Sequence, residues 1–266
     1  MTFSIIEIKE IVSVVSAYEN MNYSGYSISF MKRRLIKIFE MYNIKRIPQF
    51  YEMLKDTDTR EKIICEILVD TTEMFRDPAF WRYLRDNILK TMQPETTIWL
   101  PSENTPHEAL SLSIILNEQN LNNDIKILCN NPTQICCNNI REGIIQPMHF
   151  EINQMNYKRL ENFDLFENYF TKEVNYYKAD KKLTDNILCK RTDFSNAIND
   201  EKVGMILSRN QALCYNHNFS EQYFEILYEK LVRGGFWAVG IKEKLPVSIE
   251  ERMRVVSDTE KIYKKI

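Results

Sequence analysis

The residues best placed for chemistry lie in the stretch WLPSENTPHEALSLS, residues 99–113. Residues 98–100 read as a short apolar strand, 101–105 as a loop and 106–118 as a helix. In a doubly wound sheet, such a loop sits just beyond the carboxyl end of a strand, where a nucleotide cofactor binds. Loops of this kind use glycine to reach positive φ and to let the backbone approach the ligand. Here the loop has no glycine, and the 266-residue chain has only six. What it does carry is a helix start. Thr105, Pro106, His107 and Glu108 spell a capping box with proline at the first helical position. His107 is then expected in an exposed first turn. His107, His149 and His217 are scattered without ligand spacing, so no metal centre is predicted. Cys65, Cys129, Cys136, Cys137, Cys189 and Cys214 show no CxxC pair and read as reduced thiols. Cys136 and Cys137 are expected to pack one helix face. Only His217 lies near Cys214 in sequence, which is thin support for a nucleophile.

The elements that must position this loop fall into two groups. Residues 1–91 read as all-helical. Apolar residues recur at helical spacing over 4–18, and a second helix buries Phe30, Met31, Leu35, Ile38, Phe39 and Tyr42. The opposite side of that helix carries Lys32, Arg33, Arg34 and Lys37, a run that is most often a solvated face. Pro48 opens a third helix, residues 58–59 a fourth, and Asp77-Pro78 a fifth as N-cap and N1. Residues 92–96 form a linker. From 97 to 266, short apolar strands alternate with helices: 98–100, 125–129, 203–207 and 236–240, with a final strand near 261–266. That alternation predicts an α/β domain with a mostly parallel, Rossmann-like sheet. Residues 145–190 interrupt it with a short helix and a small antiparallel insert. The aromatic residues of this insert suit either a core or a partner surface.

Composition sets the outer limits. A net charge of −2 gives no electrostatic case for nucleic acid. No apolar run reaches the ~20 residues of a membrane span, and the first ten residues lack a signal-peptide pattern. A cytoplasmic protein is expected, without membrane insertion.

Three blocks carry a family resemblance. Residues 69–81, VDTTEMFRDPAFW, place Thr72 ahead of Phe75-Arg76-Asp77-Pro78 and then Phe80-Trp81. Residues 205–215, MILSRNQALCY, keep Arg209-Asn210 after an apolar strand. Residues 228–245, YEKLVRGGFWAVGIKEKL, set Gly234-Gly235 as a turn between helix and strand, then Gly240, Glu243 and Leu245. In order and spacing they resemble the CheR family of chemotaxis methyltransferases, in which a helical domain precedes a class I methyltransferase domain that uses S-adenosylmethionine.

The resemblance implies methylation of glutamate carboxylates on a chemoreceptor or other signalling protein, docked through Lys32, Arg33, Arg34 and Lys37. Arg76 and Tyr215 would be catalytic, Tyr215 standing one residue beyond Cys214, which aligns with the family tyrosine. Thr72, Arg76, Ser102, Thr105, His107, Glu108, Asn130, Asp193, Phe194, Arg209 and Asn210 would bind the cofactor. Several positions depart from the family. Ser102 and Pro106 replace loop glycines, and His107 replaces an acid. Asn130 replaces the ribose-binding acid, and Asp193-Phe194 replaces an Asn-Leu pair at the adenine. Two readings follow: a divergent enzyme, or a pseudo-methyltransferase serving as a binding or regulatory module. The insert lacks glycine, so tethering to a receptor tail through it is not expected.

Overall fold

A computed structural model describes residues 2–19, 23–68, 73–161, 165–196 and 202–266. The helices begin where the apolar periodicity places them: α1 (Ile5–Glu19), α2 (Ile28–Met41), α3 (Ile47–Met53), α4 (Thr57–Ile67) and α5 (Pro78–Tyr83). α2 buries Phe30, Met31, Leu35, Ile38 and Phe39, and Tyr42 follows half-buried as its C-cap. α4 starts one residue earlier than expected, because the Asp56 carboxylate accepts from the Thr59 amide at 2.9 Å and caps it. α5 continues into a π turn over Leu84–Ile88 and a 3₁₀ turn over Leu89–Thr91.

The remainder alternates as β1 (Thr96–Leu100), α6 (His107–Glu118), β2 (Ile125–Asn131), α7 (Gln134–Glu142), β3 (Ile144–Ile145), α8 (Pro147–Lys158), β4 (Phe170–Lys172), β5 (Tyr177–Ala179), α9 (Lys181–Thr184), β6 (Ile187–Arg191), β7 (Val203–Ser208), α10 (His217–Lys230), β8 (Leu231–Val239), α11 (Val247–Glu250), β9 (Met253–Ser257) and β10 (Ile262–Lys265). The described residues form a seven-stranded sheet in the order β6-β2-β1-β7-β8-β10-β9 and a three-stranded sheet in the order β3-β5-β4. The first five strands of the large sheet pair in parallel, and β10 and β9 add antiparallel at one edge. β6 and β9 have no counterpart among the expected strands, and β6 puts residues 187–190, expected in the insert, at the edge of the large sheet. Gly234-Gly235 also lie inside β8 and not before it: Val203 pairs with Leu231 and Met205 with Phe236, so the extra residues bulge out. Gly234 takes φ +78° there, which glycine tolerates without cost.

Apolar side chains cover both sheet faces, as parallel strands require. One cluster joins the N-terminal helices to Trp99, Ile206, Trp237 and the buried side of α10. The other packs Phe75, Phe80, Trp81 and Leu84 with α6 and the opposite sheet face. Two contacts fix the N-terminal helices over the carboxyl ends of the strands. Tyr26 bridges Tyr215 antiparallel, with Ser27 N–H donating to Cys214 O and Asn216 N–H to Gly25 O, each at 2.8 Å. Glu61 of α4, 7% exposed, accepts from the first amides of α7, Gln134 and Ile135, both at 3.1 Å, and pairs with Arg191 at 2.9 Å. The Glu61 carboxylate thus occupies the positive end of a helix dipole.

The first contact leaves no room at Gly25, where a β-carbon would come within 2.2 Å of the Phe219 ring. Gly25→Ala must displace that ring, and the expected cost is about 1–3 kcal/mol. Urea unfolding of the pair of proteins measures it; an unchanged midpoint would mean that the turn does not sit on α10 in solution.

Candidate functional site

The strand order reverses between β1 and β7, which puts a crevice at the carboxyl ends of the parallel strands. The loops after β1, β2, β6 and β7 meet there beneath the turn that ends at Ser27. A cavity of about 240 Å³ lies between them, walled by Tyr23, Tyr26, Ser102, Asp193, Phe194 and Tyr215. This is smaller than the ~300–1,000 Å³ usual for a whole cofactor. Ser102 holds φ +60°, the left-handed backbone that the family's glycine would supply, and its carbonyl accepts from Gln211 Nε2 at 3.4 Å. Asp193 Oδ1 accepts from Ser195 Oγ at 2.7 Å and from the Asn196 amide at 3.0 Å, which fixes its loop. No hydrogen bond among the described residues reaches Oδ2. Phe194 stands edge-on to Tyr223 at 4.9 Å. Tyr215 is buried and edge-on to Tyr26 at 5.1 Å, and burial lifts its hydroxyl far above the ordinary range. Tyr215 therefore stays protonated and works as a wall.

A charge cluster lies at the head of α6. Arg209, 3% exposed, donates to Glu108 Oε1 at 3.1 Å, to the Asp77 carboxylate and to the Arg76 carbonyl at 3.2 Å. Its guanidinium lies 4.2 Å from the centre of the Phe80 ring. Burial raises the Glu108 carboxyl above its ordinary value, against the pull of Arg209. Arg76 is half-buried, and its guanidinium makes no side-chain hydrogen bond or ion pair with any described residue. Two of the nine described non-glycine residues with positive φ, Asp77 and Ser102, belong to these two groups, and two more, Phe75 and Asn210, stand next in the chain to Arg76 and Arg209. Strain of this kind costs roughly 1–3 kcal/mol per residue and collects where geometry must be held.

The cavity therefore brings Ser102, Asp193, Phe194 and Tyr215 together, and the cluster gathers Arg76, Glu108 and Arg209. Other expected positions sit elsewhere. Asn130 is fully buried; its Oδ1 accepts from Trp99 Nε1 at 2.9 Å and its Nδ2 donates to Thr192 O at 3.3 Å. Asn210 turns the chain after β7, with its amide donating to Glu243 at 2.6 Å. His107 is buried, not exposed: Nδ1 lies 2.8 Å from Thr105 Oγ1 and the ring is edge-on to His149. The reciprocal half of the capping box is missing, because Glu108 turns to Arg209 and Pro106 takes the N-cap position. Asp77 caps nothing either; its φ of +60° carries the carboxylate away from α5 and onto Arg209. Thr72 lies outside the described residues.

Sequence reasoning missed three contributions. Asp77 was visible in the aromatic-Arg-Asp-Pro block, and Glu243 in the block after Gly240, but neither spacing told the partner. Glu243 is buried and accepts from the amides of Asn210, Ala212 and Gly240, so one carboxylate shapes the loop after β7. Its carboxyl is raised by burial against those three hydrogen bonds. Tyr23 and Tyr26 reach the cavity from the N-terminal helices with no motif to announce them.

The family model described as CheR methyltransferase, SAM binding domain, matches residues 70–262. No curated protein is similar enough in sequence to be matched. Among solved structures, a SAM-dependent methyltransferase from Geobacter sulfurreducens in complex with S-adenosyl-L-homocysteine aligns at 13% identity with a TM-score of 0.36. The alignment covers 68% of this chain and 54% of that one. The chain thus spans about half the length of that protein. A putative rRNA-methylase from Clostridium thermocellum aligns at 10% identity and a TM-score of 0.37, over 71% of this chain and 96% of its own. The N-methyltransferase NodS from Bradyrhizobium japonicum aligns at 9% and 0.36, over 71% and 93%.

The buried charges of the cluster predict strong coupling. Arg209→Met strands Glu108 without its cation and should cost on the order of 3–5 kcal/mol. Adding Glu108→Gln should recover part of that loss, a non-additivity readable in a double-mutant cycle. Glu108 has a raised pKa in the folded state, so its contribution is full below about 4.5 and declines as pH rises through the folded value. The stability of the unsubstituted protein relative to Glu108→Gln should fall over that rise. Additive effects, or a flat pH difference, would refute the buried pair.

Proposed function

Since the chain belongs to the CheR methyltransferase family through its S-adenosylmethionine-binding domain, we propose that it methylates glutamate carboxylates on an acidic signalling partner, a chemoreceptor in the family manner, in the cytoplasm. The observation that carries this reading is the guanidinium of Arg76, which no described residue engages, in a cluster whose other described charges are paired. A carboxylate is the ligand a guanidinium fork suits best.

The residues suit two of the three parts of the cofactor. Asp193 Oδ2, without a partner among the described residues at the cavity wall, can accept from an adenine amino group, with Phe194 against the ring face. Ser102 retains the backbone turn that lets the chain pass close to a ligand. The ribose position does not fit the family pattern, because Asn130 is buried and both ends of its amide are already bonded. The bound cofactor supplies a methyl group activated on a sulfonium. What the protein adds is alignment of a carboxylate with that methyl, which can itself be worth several kcal/mol. Arg76 holds the carboxylate, and no general base is needed, since a glutamate is already ionised at neutral pH.

The basic side of α2 supports an acidic partner. Lys37 pairs with Glu66 at 2.7 Å, but Lys32 and Arg33 are exposed and unpaired among the described residues. Burial pushes the Cys214 thiol up to about 11, while Arg34 and Arg33 pull it down. The basic side therefore borders the position of the family tyrosine, and an acidic helix docked on it would lie beside the reacting centre. A second reading, a pseudo-methyltransferase acting as a binding or regulatory module, is favoured by the engaged amide of Asn130.

Calorimetric titration with S-adenosylhomocysteine separates the two. Saturable binding is expected, weakened about tenfold in Asp193→Asn by the loss of one charge-assisted hydrogen bond. No heat at millimolar ligand would sink the enzyme and leave the module. For the partner, replacing Lys32 and Arg33 by glutamate should raise KM for an acidic helical peptide about tenfold and leave S-adenosylhomocysteine affinity unchanged. Equal KM values would rule out this docking face.

A further inference from the structure

Cys65 near the end of α4 and Cys136 in the first turn of α7 bring their sulfurs within 2.8 Å of each other. They come from segments 71 residues apart in sequence, and hydrogen bonds frame the contact. One turn earlier on α4, Glu61 grips the same end of α7. Cys136 Sγ also donates to Asn104 Oδ1 at 3.0 Å, and Asn104 Nδ2 donates back to the Cys65 carbonyl at 3.1 Å. Thr133 Oγ1 lies 3.2 Å from Cys65 Sγ. Cys65 is partly exposed and Cys136 is buried, so one sulfur can meet a small oxidant and the other waits behind it.

We infer that Cys65 and Cys136 form an oxidisable dithiol, which a hydroperoxide such as hydrogen peroxide closes into a disulfide between the N-terminal helices and the methyltransferase domain. The single Cys136 S–H can turn from Asn104 Oδ1 to the Cys65 sulfur 2.8 Å away, and this contact holds the Cys65 thiol below its ordinary range, which favours the nucleophilic thiolate. The Cys65 thiolate attacks one peroxide oxygen and the O–O bond breaks. Cys65 becomes a sulfenic acid, and the departing hydroxide takes up the thiol proton as water. Cys136 then attacks the Cys65 sulfur; the S–S bond forms and the sulfenic hydroxyl leaves with the Cys136 proton as a second water. Two electrons pass from the two sulfurs to the peroxide, and a dithiol reductant reverses the step by exchange.

A second pair gives an internal contrast. Cys137 Sγ and Cys189 Sγ lie 3.2 Å apart, but both residues are fully buried in the second apolar cluster, where a polar oxidant has no path. Closing the first pair removes the S–H that Cys136 donates to Asn104 Oδ1, an oxygen that also accepts from Asn131 Nδ2 at 3.2 Å. Asn104 lies in the loop that carries Ser102, so the oxidised bond is felt at the cavity wall. This inference goes beyond the proposed function and does not require that the cofactor bind.

The test is thiol mapping on the native, full-length chain. After hydrogen peroxide, intact mass should show loss of two hydrogens, and alkylation of the denatured chain should then add groups to four cysteines and not six. Non-reduced peptide mapping should yield a Cys65–Cys136 link that dithiothreitol reverses, with Cys137 and Cys189 still alkylated after denaturation. In Cys136→Ser the sulfenic acid on Cys65 should persist and be trapped by dimedone. The inference is overturned if the unsubstituted protein keeps both hydrogens, if the link joins another pair, or if dimedone traps Cys65 sulfenic acid as the end product of that protein. If the variant does not fold, mapping of the unsubstituted chain decides by itself.

Discussion

A buried guanidinium needs partners, and Arg209 recruits them from two distant places in the chain. Removing a charge from water costs several kcal/mol, which only good geometry repays. Asp77 and Glu108 supply the charges and the Arg76 carbonyl a third acceptor. The end of β7, the start of α5 and the start of α6 must therefore meet at one point. Asp77 reaches it by adopting left-handed backbone, and Phe80 stacks on the flat face of the guanidinium. Arg76 and the loop after β1 are placed by the same meeting. The candidate site residues are thus held by the ion pairs of Arg209.

The same requirement explains which parts of the site could be read in the sequence. Apolar periodicity announced most of the helices and strands, because burial of one face sets the period. The motif blocks announced Arg76, Arg209 and Asn210. Local rules failed at Asp77 and Glu108. Both stand where capping statistics expect a cap, and both are diverted to Arg209, which lies more than a hundred residues away. A capping bond is worth about 1 kcal/mol; leaving a buried cation unpaired costs several. The longer-range interaction wins, and nothing within a local window could show it. His107 followed the same error: a first-turn residue is usually exposed, but here α8 brings His149 across it.

Asn130 shows a substitution that serves the core. It sits at 0% exposure between the Trp99 indole and the Thr192 carbonyl. An ionised carboxylate there would accept from the indole but face the carbonyl with a like-signed oxygen in a dry interior. The amide matches both, a donor on one side and an acceptor on the other. Carboxamide chemistry thus strengthens the join between β1, β2 and the loop after β6. It does so at the position where the family keeps a charge for the ribose. Asn131 is similarly absorbed, its Nδ2 donating to Glu103 O and its Oδ1 accepting from Thr133 Oγ1.

These neutral contacts alter the balance between stability and binding in a definite direction. Ser102 still holds left-handed backbone at the cavity wall, and Asp193 still offers an oxygen with no donor among the described residues. Meanwhile the strand ends beneath them have become self-satisfied. A ligand entering the cavity must therefore draw its affinity from the loops after β1 and β6 and from the tyrosines of the N-terminal turn, not from the end of β2. Those tyrosines reach the cavity only while the turn ending at Ser27 stays zipped to residues 214–216. Whatever fixes α4 and α2 against the sheet consequently acts on the cavity wall as well. Ligand affinity and the seating of the N-terminal helices become one equilibrium seen from two sides.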